Sequence, residues 1–273
     1  MPETDSQTLL VATLFQCVLA LLGLFCLWRF VLRLTARRQL HTPAPLPAWD
    51  IPVSDFLTYV LGAICGAFVG MFAVGVLLGY FKVSTDARTI LGTAGMQLGL
   101  LLVPLFLPLQ LGRAASLRNE LRRAFASGAV VFLLALPLIY VTTIGWTQLL
   151  EACGITLEKQ EVMDLLHNSK SSALILVFVP MAAIVAPVSE ELFFRGMLFR
   201  FMRASAPRWL ALLIPAVLFG LSHFNLAAFL PLVVLALVFS FAYERTGRIG
   251  TTMVAHGLFN LHSIVLVLLG VGS

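Results

Sequence analysis

Repeatedly between Leu9 and Val271 the chain runs for about twenty residues with almost no charge. A helix needs roughly 20 mostly apolar residues to cross a bilayer, and inside the hydrocarbon every backbone N–H and C=O must be satisfied within the segment. Runs of this length restrict the chain to a bundle of membrane-spanning helices. Eight candidates lie at about Leu9–Val31, Phe56–Phe81, Gly92–Leu111, Phe125–Trp146, Ala173–Phe199, Trp209–His223, Phe229–Tyr243 and Thr252–Val271. The sixth and seventh are short, and the link between them is brief, so they read as a tight or partly re-entrant hairpin. Composition agrees. The chain is 60% hydrophobic and 11% charged, with mean hydropathy +0.98, whereas a soluble domain carries about 25% charged residues. The predicted class is all-α: a polytopic membrane protein of about eight transmembrane helices, a single membrane domain over residues 1–273.

The arginines order these spans. Arg29, Arg33, Arg37 and Arg38 follow the first. Arg113, Arg118, Arg122 and Arg123 follow the third, Arg200, Arg203 and Arg208 flank the turn after the fifth, and Arg245 and Arg248 follow the seventh. The alternate links are acidic or poor in charge. The positive-inside rule then places both termini on the non-cytoplasmic side. The first apolar run follows acidic residues Glu3 and Asp5 and ends in Arg29 without a small-residue cleavage site, so it reads as a retained span rather than a signal peptide. A formal charge of +5, dispersed among links, gives no nucleic-acid partner. Cys17, Cys26, Cys65 and Cys153 form no CxxC pair and no disulfide framework. His41–Pro52, with four prolines, reads as an extended cytoplasmic linker, and Leu157–Leu166 as a short amphipathic helix at the outer surface.

Against this apolar background three polar clusters stand out. Glu190 and Glu191 fall inside the fifth span, where a charged side chain costs about 3 kcal/mol even on lenient insertion scales, so the pair is a candidate functional site. The others are Phe219 with His223, and His256 with Asn260, each pair one helical turn apart. Glu190 lies 16 residues before Ala206 and His223 lies 17 after it. In a helical hairpin turning there, both sit at one depth. Glu191 and Arg195 are an i,i+4 pair that can neutralise one carboxylate, while Glu190 points about 100° away round the helix. Pro187 deprives a carbonyl of its helical donor and is expected to kink the helix just before the glutamates. A buried structural pair and an ion or proton relay account for the same residues, and interhelical hydrogen bonding accounts for His256 with Asn260. Other chemistries are disfavoured. No HExxH occurs, the aspartates lie in loops or at span ends, and Ser222 as a nucleophile lacks a following glycine and ignores both glutamates.

In order and composition, Glu190-Glu191-x-x-x-Arg195, Phe219-x-x-x-His223 and His256-x-x-x-Asn260 resemble the three motifs of the CAAX protease and bacteriocin-processing family, also called the ABI family. The resemblance covers 171–268, a motif-bearing catalytic core. It implies an intramembrane endopeptidase acting on a membrane-associated or lipid-modified protein or peptide among membrane lipids, in a bacterial plasma membrane. It also implies roles. Glu190 is the general base on water, His223 helps to hold that water, and His256 and Asn260 support the oxyanion. Glu191, Arg195 and Phe219 support the site. That mechanism requires no metal. Glutamate with two histidines is also a donor set that zinc accepts, so Glu190, His223 and His256 form the alternative metal site. The cavity is expected among spans five to eight, reached from the cytoplasmic side. A non-catalytic scaffold or bacteriocin-immunity protein on the same fold, or a proton- or cation-coupled carrier, are the competing functions.

Overall fold

A computed structural model of the chain describes residues 6–33, 46, 49–106, 117–155 and 172–269. Among them there is no strand, and eight helices follow one another. They are α1 (Ser6–Leu32, its last turn of π type), α2 (Val53–Gly79), α3 (Thr85–Phe106), α4 (Leu117–Ala152), α5 (Ser172–Ser205), α6 (Arg208–Leu221), α7 (Leu226–Thr246) and α8 (Ile249–Leu268). Six of the eight are long and apolar enough to cross a membrane by length and composition, α3 and α6 being the exceptions. The protein is an integral membrane protein of the all-α class. The sixth span is short, 14 residues. The seventh is not: α7 has 21 residues, because Asn225 caps it one turn earlier than its apolar run begins and Glu244 is carried inside its last turn. The His41–Pro52 linker falls mostly, and the Leu157–Leu166 helix wholly, outside the described residues.

Glycine sets the closest helix contact. Gly66 and Gly70 of α2 face Gly95 and Gly99 of α3, and a Cβ on any of the four would collide with a backbone carbonyl of the other helix. Small residues four apart let two helices approach backbone to backbone in a medium that offers no hydrophobic drive to associate. This pins the face of α3. Gln97, two residues beyond Gly95, lies about 200° round the helix and is turned away from α2. A proline does similar duty in α4. Pro137 has no N–H, so the Leu133 carbonyl lacks its helical donor, and α1 crosses there at Gly23, whose missing Cβ leaves room for that carbonyl and the proline ring. α4 packs against α1, α7 and α8.

The fifth helix is the spine. From Glu191 to Phe201 every residue is buried, by α2, α3, α6, α7 and α8 together. Its path changes pitch twice, with π-type turns at Met181–Val185 and Leu192–Phe199 on either side of Ala186–Glu191. The first change has a local cause, and it is the form that the kink expected at Pro187 takes. The Ala186 N–H bonds five residues back to the Met181 carbonyl, and Pro187 has no N–H to give. The Ala182 carbonyl is left without a helical donor. Asn260 of α8 supplies one, its Nδ2 donating at 2.8 Å. Beside it, α8 approaches so closely that only a glycine fits at 257, against the Ala183 carbonyl.

Candidate active site

Pro187 and the π turns place two adjacent glutamates with opposite tasks. Glu191 is fully buried and points into the bundle. Its Oε1 accepts from Arg195 Nη1 at 2.7 Å and lies 3.0 Å from His256 Nδ1. Arg195 is just as deep, 1% exposed. Its Nη2 donates to the Ala236 carbonyl at 3.2 Å, and its guanidinium lies over the rings of Phe219 and Phe239, at 4.9 and 5.4 Å. A buried ion pair holds only when geometry and extra hydrogen bonds offset desolvation, and here a backbone carbonyl and two aromatic faces add to the pairing. With Arg195 alongside, Glu191 is an acceptor, so the His256 Nδ1 that faces it carries the hydrogen. That leaves His256 Nε2 turned toward Glu190, 3.8 Å from its Oε2.

Glu190 faces the other way, into a cavity of about 440 Å³. One carboxylate oxygen, Oε1, accepts from Gln97 Nε2 at 2.8 Å. Gln97 is fixed in turn by Ser189, whose hydroxyl donates to its Oε1. Glu190 Oε2 has no hydrogen-bond partner among the described residues. The cavity wall also includes His223 and Asn260, with an otherwise mostly apolar lining that includes Phe68, Phe193 and Phe194. His223 follows the last turn of α6, its Nδ1 2.8 Å from the Phe219 carbonyl. Phe219 is completely buried and forms the partition between the two layers, with its ring 4.8 Å from that of His223 and 5.8 Å from that of His256.

The structure therefore gathers all seven motif residues, but in two layers. Glu190, His223 and Asn260 line the cavity, while Glu191, Arg195, Phe219 and His256 are sealed behind it. His256 stands apart from its expected place. It backs onto both glutamates and does not line the cavity beside Asn260, because Glu191 has claimed its Nδ1. Asn260 also has a backbone duty, closing the Ala182 carbonyl. No three His, Cys, Asp or Glu side chains among the described residues are arranged as metal ligands. Gln97 and Ser189 are the functional neighbours that the motifs do not reveal.

The cavity lies toward one end of the bundle. Its lining runs from mid-bundle, at Ala67 and Phe68 of α2, Gln97 of α3 and Glu190 and Phe194 of α5, to Ile90, Phe178, Ile264 and the Ser222–Phe224 turn after α6. The lining thus extends from the middle of the bundle toward the end away from the arginine-bearing links, whereas the positive-inside reading expected access from the arginine-rich side. The cause is the brevity of α6. It ends at Leu221, and the turn that follows brings His223 to the wall from the opposite end of the bundle.

Residues 172–262 match the family model described as type II CAAX prenyl endopeptidase Rce1-like. This stretch is similar to the CAAX protease and bacteriocin-processing family. Two relatives also align with the chain. YdiL of Bacillus subtilis (strain 168), provisionally named a membrane peptidase, is 29% identical over 115 residues, 42% of this chain and 46% of that protein. The UPF0177 protein YbdI of Lactococcus lactis subsp. lactis (strain IL1403) is 29% identical over 83 residues, 30% of this chain and 44% of that protein. The chain thus spans less than half the length of the curated relatives it matches. No solved structure matches it. The CAAX-protease segment holds both glutamates, Arg195, Phe219, both histidines and Asn260. It does not hold Gln97 or the α2 and α3 walls of the cavity.

Proposed function

We propose that the chain is an intramembrane endopeptidase in which Glu190 activates water against a peptide bond held in the cavity, the substrate being a membrane-associated or lipid-modified protein or peptide. One observation carries the reading: Glu190 is pinned by Gln97 on one oxygen and has its second oxygen directed toward His256, at the wall of a largely apolar cavity. A carboxylate so held is positioned to take a proton from a water in the cavity.

Glu190 takes a proton from water as the oxygen attacks the carbonyl carbon. The carbonyl π electrons move onto its oxygen. The second N–H of Asn260 is the donor available to the oxyanion, where exclusion of bulk water makes it most effective, while His223, whose Nδ1–H goes to the Phe219 carbonyl, offers Nε2 as an acceptor that helps to hold the water. Glu190 then passes its proton to the amide nitrogen, the C–N bond breaks, and an amine and a carboxylate leave. His256, locked by Glu191 at Nδ1, presents Nε2 toward Glu190 as an acceptor for the proton that Glu190 carries between the two steps. No step is routed through a metal.

The test is the Glu190→Gln protein, which keeps the shape and removes the base. It is expected to accumulate normally and to lose at least a hundredfold in cleavage, since general-base catalysis contributes about 10²–10⁴-fold. Comparison of membrane-protein fragments in cells with the wild type and the variant reads this. An unchanged fragment pattern removes Glu190 from the mechanism and favours a scaffold on the same fold.

A further inference from the structure

We infer that the cavity takes its substrate from the non-cytoplasmic face: a peptide anchored in the outer leaflet and cut only after export. The inference rests on the endopeptidase reading above and adds which side of the membrane it serves. Two independent observations meet in it. The first is charge. Arg29 and Arg33 end α1, Arg203 and Arg208 flank the α5–α6 turn, and Arg245 and Arg248 flank the α7–α8 turn, all at one end of the up-and-down bundle. Arginine-rich short links stay in the cytoplasm. The α2–α3 link at the other end carries only Lys82, and the α6–α7 link carries no charge. The second is the cavity. Its lining runs from mid-bundle, at Gln97 and Glu190, to that second end, at Ile90, Phe178, Ile264 and the turn Ser222–Phe224, and none of it reaches the arginine-bearing links.

The mouth has the chemistry of a membrane-anchored ligand. Phe224 is 97% exposed and sits in a left-handed conformation, φ 48°, which is uncommon for any residue but glycine. Across the cavity, Phe68 of α2 is 64% exposed. Two exposed aromatic rings at an apolar cavity suit an acyl chain or an apolar side chain arriving along the bilayer, with the peptide bond reaching Glu190 from the same side. Such a substrate must first be carried across the membrane, so a translocation step precedes this one.

Cys153 is a natural reporter. It is exposed, just past the end of α4, at the cavity-mouth end of the bundle. In a Cys17→Ala, Cys26→Ala, Cys65→Ala protein, a membrane-impermeant maleimide added to intact cells is expected to label Cys153. Ser205→Cys, made in that background with Cys153→Ser, is expected to label only after permeabilisation. Labelling of Cys153 only after permeabilisation overturns the inference. Mass spectrometry of membrane-protein fragments from wild-type and Glu190→Gln cells gives the second arm. Glu190-dependent cuts are expected in segments exposed outside, and cuts confined to cytoplasmic segments overturn the inference. If no cut depends on Glu190, the endopeptidase reading falls and the proposed substrate with it, while the labelling result still fixes the side the cavity faces.

Discussion

At the scale of single residues the site works by division of labour between neighbours. Glu190 and Glu191 share a backbone and differ by about 100° of helix. That rotation separates a carboxylate that meets the cavity from one that anchors Arg195 and His256. Charge and motif spacing made both glutamates, Arg195 and the two histidines legible in the sequence, because each is costly in an apolar segment and must have a reason to be there. Gln97 was not legible. A lone amide disturbs the hydropathy of its span too little to stand out, and it falls outside the three motifs. Only the glycine spacing around it shows which way it points. Its task is specific. Gln97→Leu removes the hydrogen bond to one oxygen of Glu190, an interaction with a charged group worth about 1.5–3 kcal/mol. The expected outcome is a loss of roughly tenfold to a hundredfold in kcat with unchanged protein levels, measured on a cleaved substrate. Equal kcat would show that Glu190 needs no partner on that side.

Among the elements, the spans were readable because the length of an apolar run decides whether a helix can cross a bilayer. Their ends were not, because capping and buried ion pairs override hydropathy. Glu244 looks like the end of a span in sequence, yet it is 2% exposed and held by Arg203 and Arg208 at 2.7 Å each. The sequence marks a kink at Pro187 but not its form, a π turn at Met181–Val185 whose Ala182 carbonyl is satisfied by Asn260 of another helix because Pro187 cannot serve it. The α2–α3 contact is testable with one chemical change at two places. Gly99→Ala puts a methyl group into the Gly66 carbonyl, whereas Gly75→Ala meets nothing. Overpacking costs about 1–3 kcal/mol, so Gly99→Ala is expected to lower the unfolding temperature in detergent by several degrees. Gly75→Ala is expected to leave it unchanged or slightly higher, since alanine favours a helix by up to about 1 kcal/mol over glycine. Equal stability of the two proteins would show that α2 and α3 separate at little cost.

For the whole molecule, the family match and the cavity do not coincide. The matched segment 172–262 supplies Glu190, His223 and Asn260, while Ile64, Ala67, Phe68, Thr93, Met96 and Gln97 come from α2 and α3, well before it. A fragment beginning at Ser172 carries every motif residue and lacks half of the cavity wall. It is expected to show no Glu190-dependent cleavage, and co-expression with residues 1–155 is expected to restore it, read by the same fragment comparison. Activity of the short fragment alone would place the whole site within the matched segment. The same division separates how a bond is broken from what is offered to be broken. The front wall is built by a glycine-clasped hairpin that holds no motif residue, so its apolar side chains can drift in size and shape without disturbing the charged cluster behind Phe219. A lineage could in this way acquire new clients by repainting one hairpin, and a chimera exchanging α2 and α3 between relatives would inherit the appetite of the donor with the teeth of the recipient.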